Sequence, residues 1–398
     1  MRKRLGQLLV LTLLAGFIYL NVDYWSDPVY WRRWWDIVTH MAPDHMNFSP
    51  TASVGSRTIY ELPVADASAL TISPDALRAA EEFAAGLDSF AFIVVHRGVV
   101  QTEWYGPGWS RDRLTQSQSM NKTVTAMMMG NAIEDGFVES VNDPIGKYLV
   151  EWQGDPRGDI TIENLLYMSS GLAQYRFSLN PFAKDTAFRF LNSQDRAVVV
   201  LNTALGWAPG SRFDYNDINA QLTGMIVERA SGKPYTQYLQ ERLWGPMGGQ
   251  HAELWLDQEN GLAMTACCLL ASAIDWAKIG VMMKDGGRID SRQVIPAEWL
   301  GHMIDPSPQY SGYGYLTWLG QGLMDEGPGK EGIERNQAEP FLAPDMFYLS
   351  GYGGQRVYID RGNDLVVVRL GPFSGMQPLK PHWDNAYLLN TVIRGIRQ

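Results

Sequence analysis

Apolar positions along the chain fall into distinct patterns. Between Pro74 and Leu87, the residues Leu77, Ala80, Phe83, Ala84 and Leu87 recur at helical spacing behind Ser73, a good N-cap residue, and predict a helix. The runs Ala91–His96 and Val99–Tyr105 are rich in β-branched and aromatic residues and flank Arg97-Gly98, which predicts a hairpin. A second hairpin is predicted by Gln355–Asp360 and Asp364–Leu370 around Arg361-Gly362-Asn363, and Trp383–Ile396 has the pattern of a terminal helix. The middle, from about 120 to 250, reads mostly as helix punctuated by Gly and Pro, without tandem repeats or low-complexity segments.

Strands at both ends and helices between them imply an α+β fold. Neither hairpin can bury a face alone, so an antiparallel sheet assembles from the two chain ends, flanked by helices, with a mostly helical insertion beside it. The crevice between sheet and insertion is the expected position of a site.

The N-terminus has a different pattern. Arg2, Lys3 and Arg4 precede an uncharged stretch from Leu5 to Val22, followed by a Tyr- and Trp-rich segment. A cationic start, an apolar run and interfacial aromatics predict an uncleaved signal anchor over 1–24. That anchor would tie the protein to the bacterial inner membrane through its N-terminal helix, with the domain periplasmic; the alternative is secretion after signal cleavage. Residues 25–59, with scattered prolines and aromatics, read as a linker packing loosely on a domain that spans 60–398.

Composition narrows the function. Among 398 residues, 45% are hydrophobic and the net charge is -10, which suits a globular domain and disfavours a nucleic-acid partner. The two cysteines, Cys267 and Cys268, are adjacent, leaving no loop for a disulfide to close and no zinc spacing. None of the six histidines has metal-ligand spacing, so no metal and no cofactor are expected. There is no G-x-S-x-G elbow, and Gly327-Pro328-Gly329-Lys330-Glu331-Gly332 lacks the preceding strand and following helix of a dinucleotide site.

Of nine lysines, one has a serine three positions earlier, in Ser119-Met120-Asn121-Lys122. The following run, Thr123 to Gly136, reads as an apolar helix ended by Gly, with Met127–Met129 as core packing. Ser119 therefore lies at a helix N-terminus, with the Lys122 amine one turn on along the same face. Two readings stand: an N-cap with a surface cation, or a serine nucleophile beside an amine whose burial lowers its pKa enough for it to act as base.

Two more clusters lie far along the chain. Tyr215, in Phe213-Asp214-Tyr215-Asn216-Asp217, sits before a helical run from Ala220 to Ala230. It is either a half-buried aromatic or a phenol that shuttles a proton. Ser350-Gly351-Tyr352-Gly353-Gly354-Gln355 opens the last hairpin. It is either a bulged strand entry or a strand edge against which a substrate lies. Trp318 reads as aromatic strand packing or as a crevice wall.

Together these segments resemble the β-lactamase-fold serine hydrolases: class C β-lactamases, DD-peptidases, esterases and 6-aminohexanoate-dimer hydrolases. The resemblance runs from about Ala91 to the C-terminus. It rests on Ser119-Met120-Asn121-Lys122, Asp143-Pro144-Ile145, Ile160–Leu172, Pro209-Gly210 before Tyr215, and Gly351-Tyr352-Gly353-Gly354-Gln355. It implies Ser119 as the acylated nucleophile, Lys122 as its activating partner and Tyr215 as the tyrosine of Y-x-N. An oxyanion hole would form from the Ser119 N–H and one at the strand with Gly353-Gly354, beside Tyr352. The 6-aminohexanoate-dimer hydrolases and related esterases look most similar, and Tyr175, after Ser170-Gly171-Leu172, would be their amide-facing tyrosine.

The chain departs from the pattern twice. Asp217 replaces the asparagine of Y-x-N, and Tyr352-Gly353-Gly354 lacks the cation that holds a β-lactam carboxylate. Arg356, a possible substitute, reads as a solvent-exposed strand residue. If Asp217 pairs with Lys122, the amine stays protonated and a Tyr215 phenolate is the base; otherwise Lys122 is the base. The expected function is hydrolysis of a small-molecule ester or amide through acyl-Ser119. The competing expectations are a non-hydrolytic envelope binding protein and a β-lactamase or D-alanyl carboxypeptidase.

Overall fold

A computed structural model describes residues 2–40, 48–176, 178, 180–320, 337–372 and 384–397. The strands used below are β1 (Thr51–Val54), β2 (Ala91–His96), β3 (Val99–Tyr105), β4 (Thr115–Gln116), β5 (Ala252–Trp255), β6 (Leu269–Ala271), β7 (Trp318–Leu319), β8 (Phe347–Gly351), β9 (Gln355–Asp360) and β10 (Leu365–Leu370). The helices are α1 (Arg2–Leu20), α2 (Pro28–His40), α3 (Pro74–Gly86), α4 (Asn121–Glu134), α5 (Asp217–Ser231), α6 (Ala273–Lys284) and α7 (Tyr387–Arg394).

The main sheet is antiparallel, in the order β3-β2-β10-β9-β8-β7. Its centre joins the two chain ends: Val94 of β2 stands opposite Val367 of β10, and Val368 opposite Val357 of β9. Strands β2, β9 and β10 are buried along their whole length; β2 and β10 accordingly read as near-continuous apolar runs, whereas β9 buries Gln355, Arg356 and Asp360 as well. Helix α6 lies across them. It can approach this closely because Gly280 has no side chain; a Cβ there would stand 2.5 Å from Val366 Cγ1. Ser73 caps α3 as expected, its hydroxyl accepting from Ala76 N. Helix α7 packs on α3, with the Phe83 and Tyr387 rings 4.3 Å apart. The fold is α+β, with the two predicted hairpins in place. Of the expected terminal helix, residue 383 lies outside the described residues.

Helices α4 and α5 pack against each other inside the insertion. Every residue of α4 from Asn121 to Ala132 is buried, as is every residue of α5 from Ile218 to Val227. A helix covered on all sides shows no polar stripe, and α4 is such a helix.

Three features differ from the sequence expectations. Residues 25–59 are not a loose linker: α2 docks against the helix Ala187–Asn192, and β1 pairs with β5 in a second sheet ordered β1-β5-β6-β4. The dock is apolar as well as polar: Tyr30 of α2 is buried against Phe188, with Trp31, Trp34 and Ile37 packed around them. Arg33 donates to Leu256 O at 2.5 Å, and Asp27 accepts from Tyr30 N, Ser193 Oγ and Gln194 N. Residues 41–47 lie outside the described residues.

Secondly, the N-terminal run does form a helix, α1, with Leu8, Leu9, Leu11, Leu13 and Leu14 exposed. Among the described residues, however, no helix is long and apolar enough to cross a membrane, so the signal-anchor expectation gains no support. Thirdly, Cys267 and Cys268 are bonded to each other in a vicinal disulfide. Loop-closure reasoning does not reach this case, because the ring closes on the neighbouring residue.

Candidate active site

The chain enters the site through a short turn. Gln118 adopts a φ of +50°, Gln118–Met120 form a single 3₁₀ turn, and α4 begins at Asn121. This places Ser119 half-buried at the helix entrance, with Lys122 one turn on. The Lys122 side chain is 1% exposed. Its Nζ donates to Ser119 Oγ at 2.8 Å and to Ala266 O at 2.7 Å, and lies 2.7 Å from Asp217 Oδ1. The three ammonium protons thus meet three acceptors. Burial alone pulls the pKa of this amine down. The charge of Asp217, helped by interaction with Tyr215, outweighs that pull and holds the amine above the ordinary lysine value. The lowered lysine expected from burial is therefore corrected: Lys122 is an ammonium at neutral pH.

Asp217 and Tyr215 reach this point because α5 starts beside them. Asn216 caps α5, its Oδ1 accepting from Ile218 N at 3.1 Å, and sets Asp217 at the first helical position. The Asp217 side chain is 44% exposed, so the pair with Lys122 has one dry and one wet end. The Lys122 ammonium lies 5.0 Å from the Tyr215 ring centroid. Behind Tyr215 stand Trp318 of β7 and Tyr313, with ring centroids at 5.4 and 6.0 Å. Trp318 is buried and packs on Tyr215 and Tyr313, so it backs the phenol from the core. The two rings hold the Tyr215 side chain against the amine.

The opposite wall is the β8–β9 hairpin. Tyr352, Gly353 and Gly354 form its turn, with φ near +78° and +76° at the two glycines, and β9 begins at Gln355. The strand meets the Ser119 turn at Gly351, where a Cβ would lie 2.4 Å from Ser117 O. Only a glycine allows this contact. Tyr352 is exposed at the rim.

Two arginines hold this hairpin from behind. Arg369 of β10 donates to Gly353 O at 2.7 Å, Gly354 O at 3.1 Å, Leu87 O and Ser89 Oγ. Arg356 donates to Gly351 O, Gln355 O and Asn385 Oδ1. Arg356 is buried rather than solvent-exposed, and these carbonyls are what satisfy it. Neither arginine belongs to a local motif; the cue to them is a cation within an otherwise apolar strand run, as in Val366-Val367-Val368-Arg369-Leu370.

The structure thus brings together Ser119, Lys122, Tyr215 and Asp217, and sets the turn with Tyr352, Gly353 and Gly354 beside them. Tyr175 is not part of the group. Its hydroxyl donates to Val199 O at 2.6 Å and lies 2.7 Å from Thr203 Oγ1, and burial pushes its pKa up to about 12. The amide-facing role expected for Tyr175 does not match a phenol already occupied by the protein. Among the described residues there is no group of three or more His, Cys, Asp or Glu side chains able to hold a metal ion.

Known proteins share this arrangement of chain. A 6-aminohexanoate-dimer hydrolase of Paenarthrobacter ureafaciens is 25% identical over 306 residues, covering 74% of this chain and 74% of that protein. An Escherichia coli D-alanyl-D-alanine-carboxypeptidase/endopeptidase AmpH is 29% identical over 143 residues, 34% of this chain and 36% of its own length. Among solved structures, a family VIII carboxylesterase superposes with a TM-score of 0.61 at 16% identity, covering 81% of this chain and 98% of that one. A penicillin-binding protein homologue from Caulobacter crescentus superposes with a TM-score of 0.60 at 15% identity, with the same coverage of 81% and 98%. The sequence profile of the Beta-lactamase family matches residues 77–385, a span that holds the main sheet, the helical insertion and the whole of the site. On that match the chain belongs to the Beta-lactamase family.

Proposed function

We propose that the protein hydrolyses a small ester or amide through an acyl-Ser119 intermediate. The observation that carries this reading is the Lys122 ammonium, held by Asp217 and donating to the Ser119 oxygen at 2.8 Å. A protonated amine that donates to the hydroxyl cannot also take its proton. The oxygen of Tyr215, beside the same ammonium, is the remaining acceptor, so Tyr215 serves as general base in this reading.

In this scheme the Ser119 hydroxyl proton passes to Tyr215 as Oγ attacks the carbonyl carbon. The negative charge formed on the carbonyl oxygen is met by the Ser119 N–H and an N–H from the end of β8. Collapse expels the alcohol or amine, which takes the proton from Tyr215, and water then enters by the same route to release the acid and free serine.

The family's range of esters, amides and peptides narrows at the hairpin. Arg356 is committed to Gly351, Gln355 and Asn385, so it is not offered to a substrate carboxylate, and the turn itself has no cation. That supports esters and simple amides over β-lactams. Similarity to a 6-aminohexanoate-dimer hydrolase and to a carboxylesterase points the same way. For location, the cationic start and exposed leucines of α1 support attachment to a membrane, with the catalytic domain on the periplasmic side.

Incubation with an activated short-chain ester tests the chemistry. The intact protein gains one acyl mass at Ser119, and Ser119→Ala loses both that mass and turnover, a fall on the order of 10³-fold or more. Unchanged turnover in Ser119→Ala ends the proposal.

A further inference from the structure

The segment 264–269 runs along the entrance of α4 and touches nearly every residue that sets the nucleophile. Ala266 O accepts from Lys122 Nζ at 2.7 Å. Cys267 O and Met264 O accept from Asn121 Nδ2, at 2.9 and 3.1 Å. Cys268 N donates to Gln118 O, and Ser117 N donates to Leu269 O. The carbonyl that holds the Lys122 amine is thus one residue from a disulfide between Cys267 and Cys268. At Cys268 the backbone takes a φ of +73°, a conformation that a residue with a side chain adopts only when its surroundings impose it. The small ring closed by two adjacent cysteines is such a constraint.

We infer that the Cys267–Cys268 disulfide positions the Lys122 amine through the Ala266 carbonyl, so that acylation of Ser119 runs at full rate only in the oxidised protein. The inference rests on the acyl-serine reading above. Opening the ring needs a dithiol reductant. The protein S–S bond breaks, Cys267 and Cys268 each gain a hydrogen, and the reductant closes its own disulfide. Cys268 is then free to leave the left-handed region. The peptide between 266 and 268 turns with it, taking away one of the three acceptors of the ammonium. Without the Ala266 carbonyl the ammonium is held only by Ser119, Asp217 and Tyr215 and shifts from its place at the Ser119 oxygen, and misplacement of a catalytic group by about 1 Å costs on the order of 10²-fold. The disulfide is buried, with Cys267 8% and Cys268 3% exposed, so the reductant reaches it through a partial opening of the segment. Substrate binding is assigned to the far wall, at the β8–β9 hairpin, so with an unactivated amide, whose acylation limits turnover, the effect falls on kcat rather than on KM.

The experiment uses the full chain and first establishes the acyl-enzyme by mass, so that failure of the acyl-serine reading registers separately. Because the chain has two cysteines, alkylation followed by mass measurement counts the thiols without ambiguity. Untreated protein shows none, and protein treated with dithiothreitol shows both. Expected on reduction is a fall in kcat of on the order of tenfold or more with KM changed by less than about twofold, reversed by reoxidation. The Cys267→Ser, Cys268→Ser double variant carries the test if the native disulfide resists the reagent. It has the low kcat of the reduced enzyme and is indifferent to dithiothreitol. The inference is overturned if untreated protein already has free thiols. It is equally overturned if an acylatable double variant keeps the parent kcat, or if kcat and KM fall and rise together.

Discussion

The two walls of the site are built in opposite ways. At the α4 wall, Ser119 and Lys122 lie one turn apart on the same backbone, and their relative position follows from helix geometry. At the hairpin wall, Tyr352-Gly353-Gly354 closes the β8–β9 ladder, and Arg369 from the neighbouring strand grips the Gly353 and Gly354 carbonyls from behind while Arg356 holds those of Gly351 and Gln355. The proposed catalytic pair is encoded in four residues, whereas the wall opposite it is held by residues from across the fold. The α4 wall should therefore fail through chemistry when altered, and the hairpin wall through shape and stability.

The sharpest way to break that contrast is Lys122→Met, which keeps the length of the side chain and removes the charge. Turnover of an activated ester falls on the order of 10³-fold with the fold intact by circular dichroism. A loss no larger than a few-fold would remove the ammonium from the chemistry. The same variant reports the electrostatics through pH. The folded-state pKa of Lys122 is raised above its unfolded value, so its stabilising contribution is complete below the unfolded lysine pKa and disappears as pH rises through the folded one. In thermal melts, the advantage of wild type over Lys122→Met is therefore constant through neutral pH and narrows only in strongly alkaline solution. A gap that narrows as the pH falls from alkaline to neutral contradicts the sign.

Arg369→Met tests the other wall. Removing a guanidinium that serves four acceptors leaves buried carbonyls unpaired and destabilises the fold by about 2–4 kcal/mol. In protein that remains folded, KM rises more than kcat falls, because the hairpin shapes binding rather than proton transfer. A kcat collapse at constant KM would place Arg369 with the chemistry instead. The smallest effect is expected at Tyr175→Phe. Loss of a hydroxyl bonded to Val199 and Thr203 costs about 1 kcal/mol and leaves the kcat/KM of amides and esters within about twofold. A selective loss on amides would return Tyr175 to the substrate.

The same division runs through what the sequence disclosed. Strands β2, β3, β9 and β10 and the capped helix α3 were legible because apolar runs, turn residues and a capping serine act over a few residues. Strand β8 is not read from the sequence; it pairs with β9 across the Tyr352-Gly353-Gly354 turn, and its pairing to β7 is tertiary. Helix α2 was hidden because the partners of its aromatic face and of the buried Asp27 and Arg33, among them Phe188, Ser193 and Leu256, lie far along the chain. Tyr175 was placed at the site because it follows Ser170-Gly171-Leu172 in order, but the direction of its ring is set by Val199 and Thr203.

By itself the sequence determined the serine–lysine spacing on a helix entrance, the ionisable character of Tyr215 and Asp217, and the apolar strands that close into one sheet. These are consequences of periodicity and side-chain chemistry, which act at short range. Only the tertiary structure decided that Lys122 is an ammonium, because whether burial or a carboxylate governs an amine depends on which residues the fold brings within 3 Å of it. It also decided that two adjacent cysteines share a bond, and that arginines from β9 and β10 turn inward to hold the hairpin.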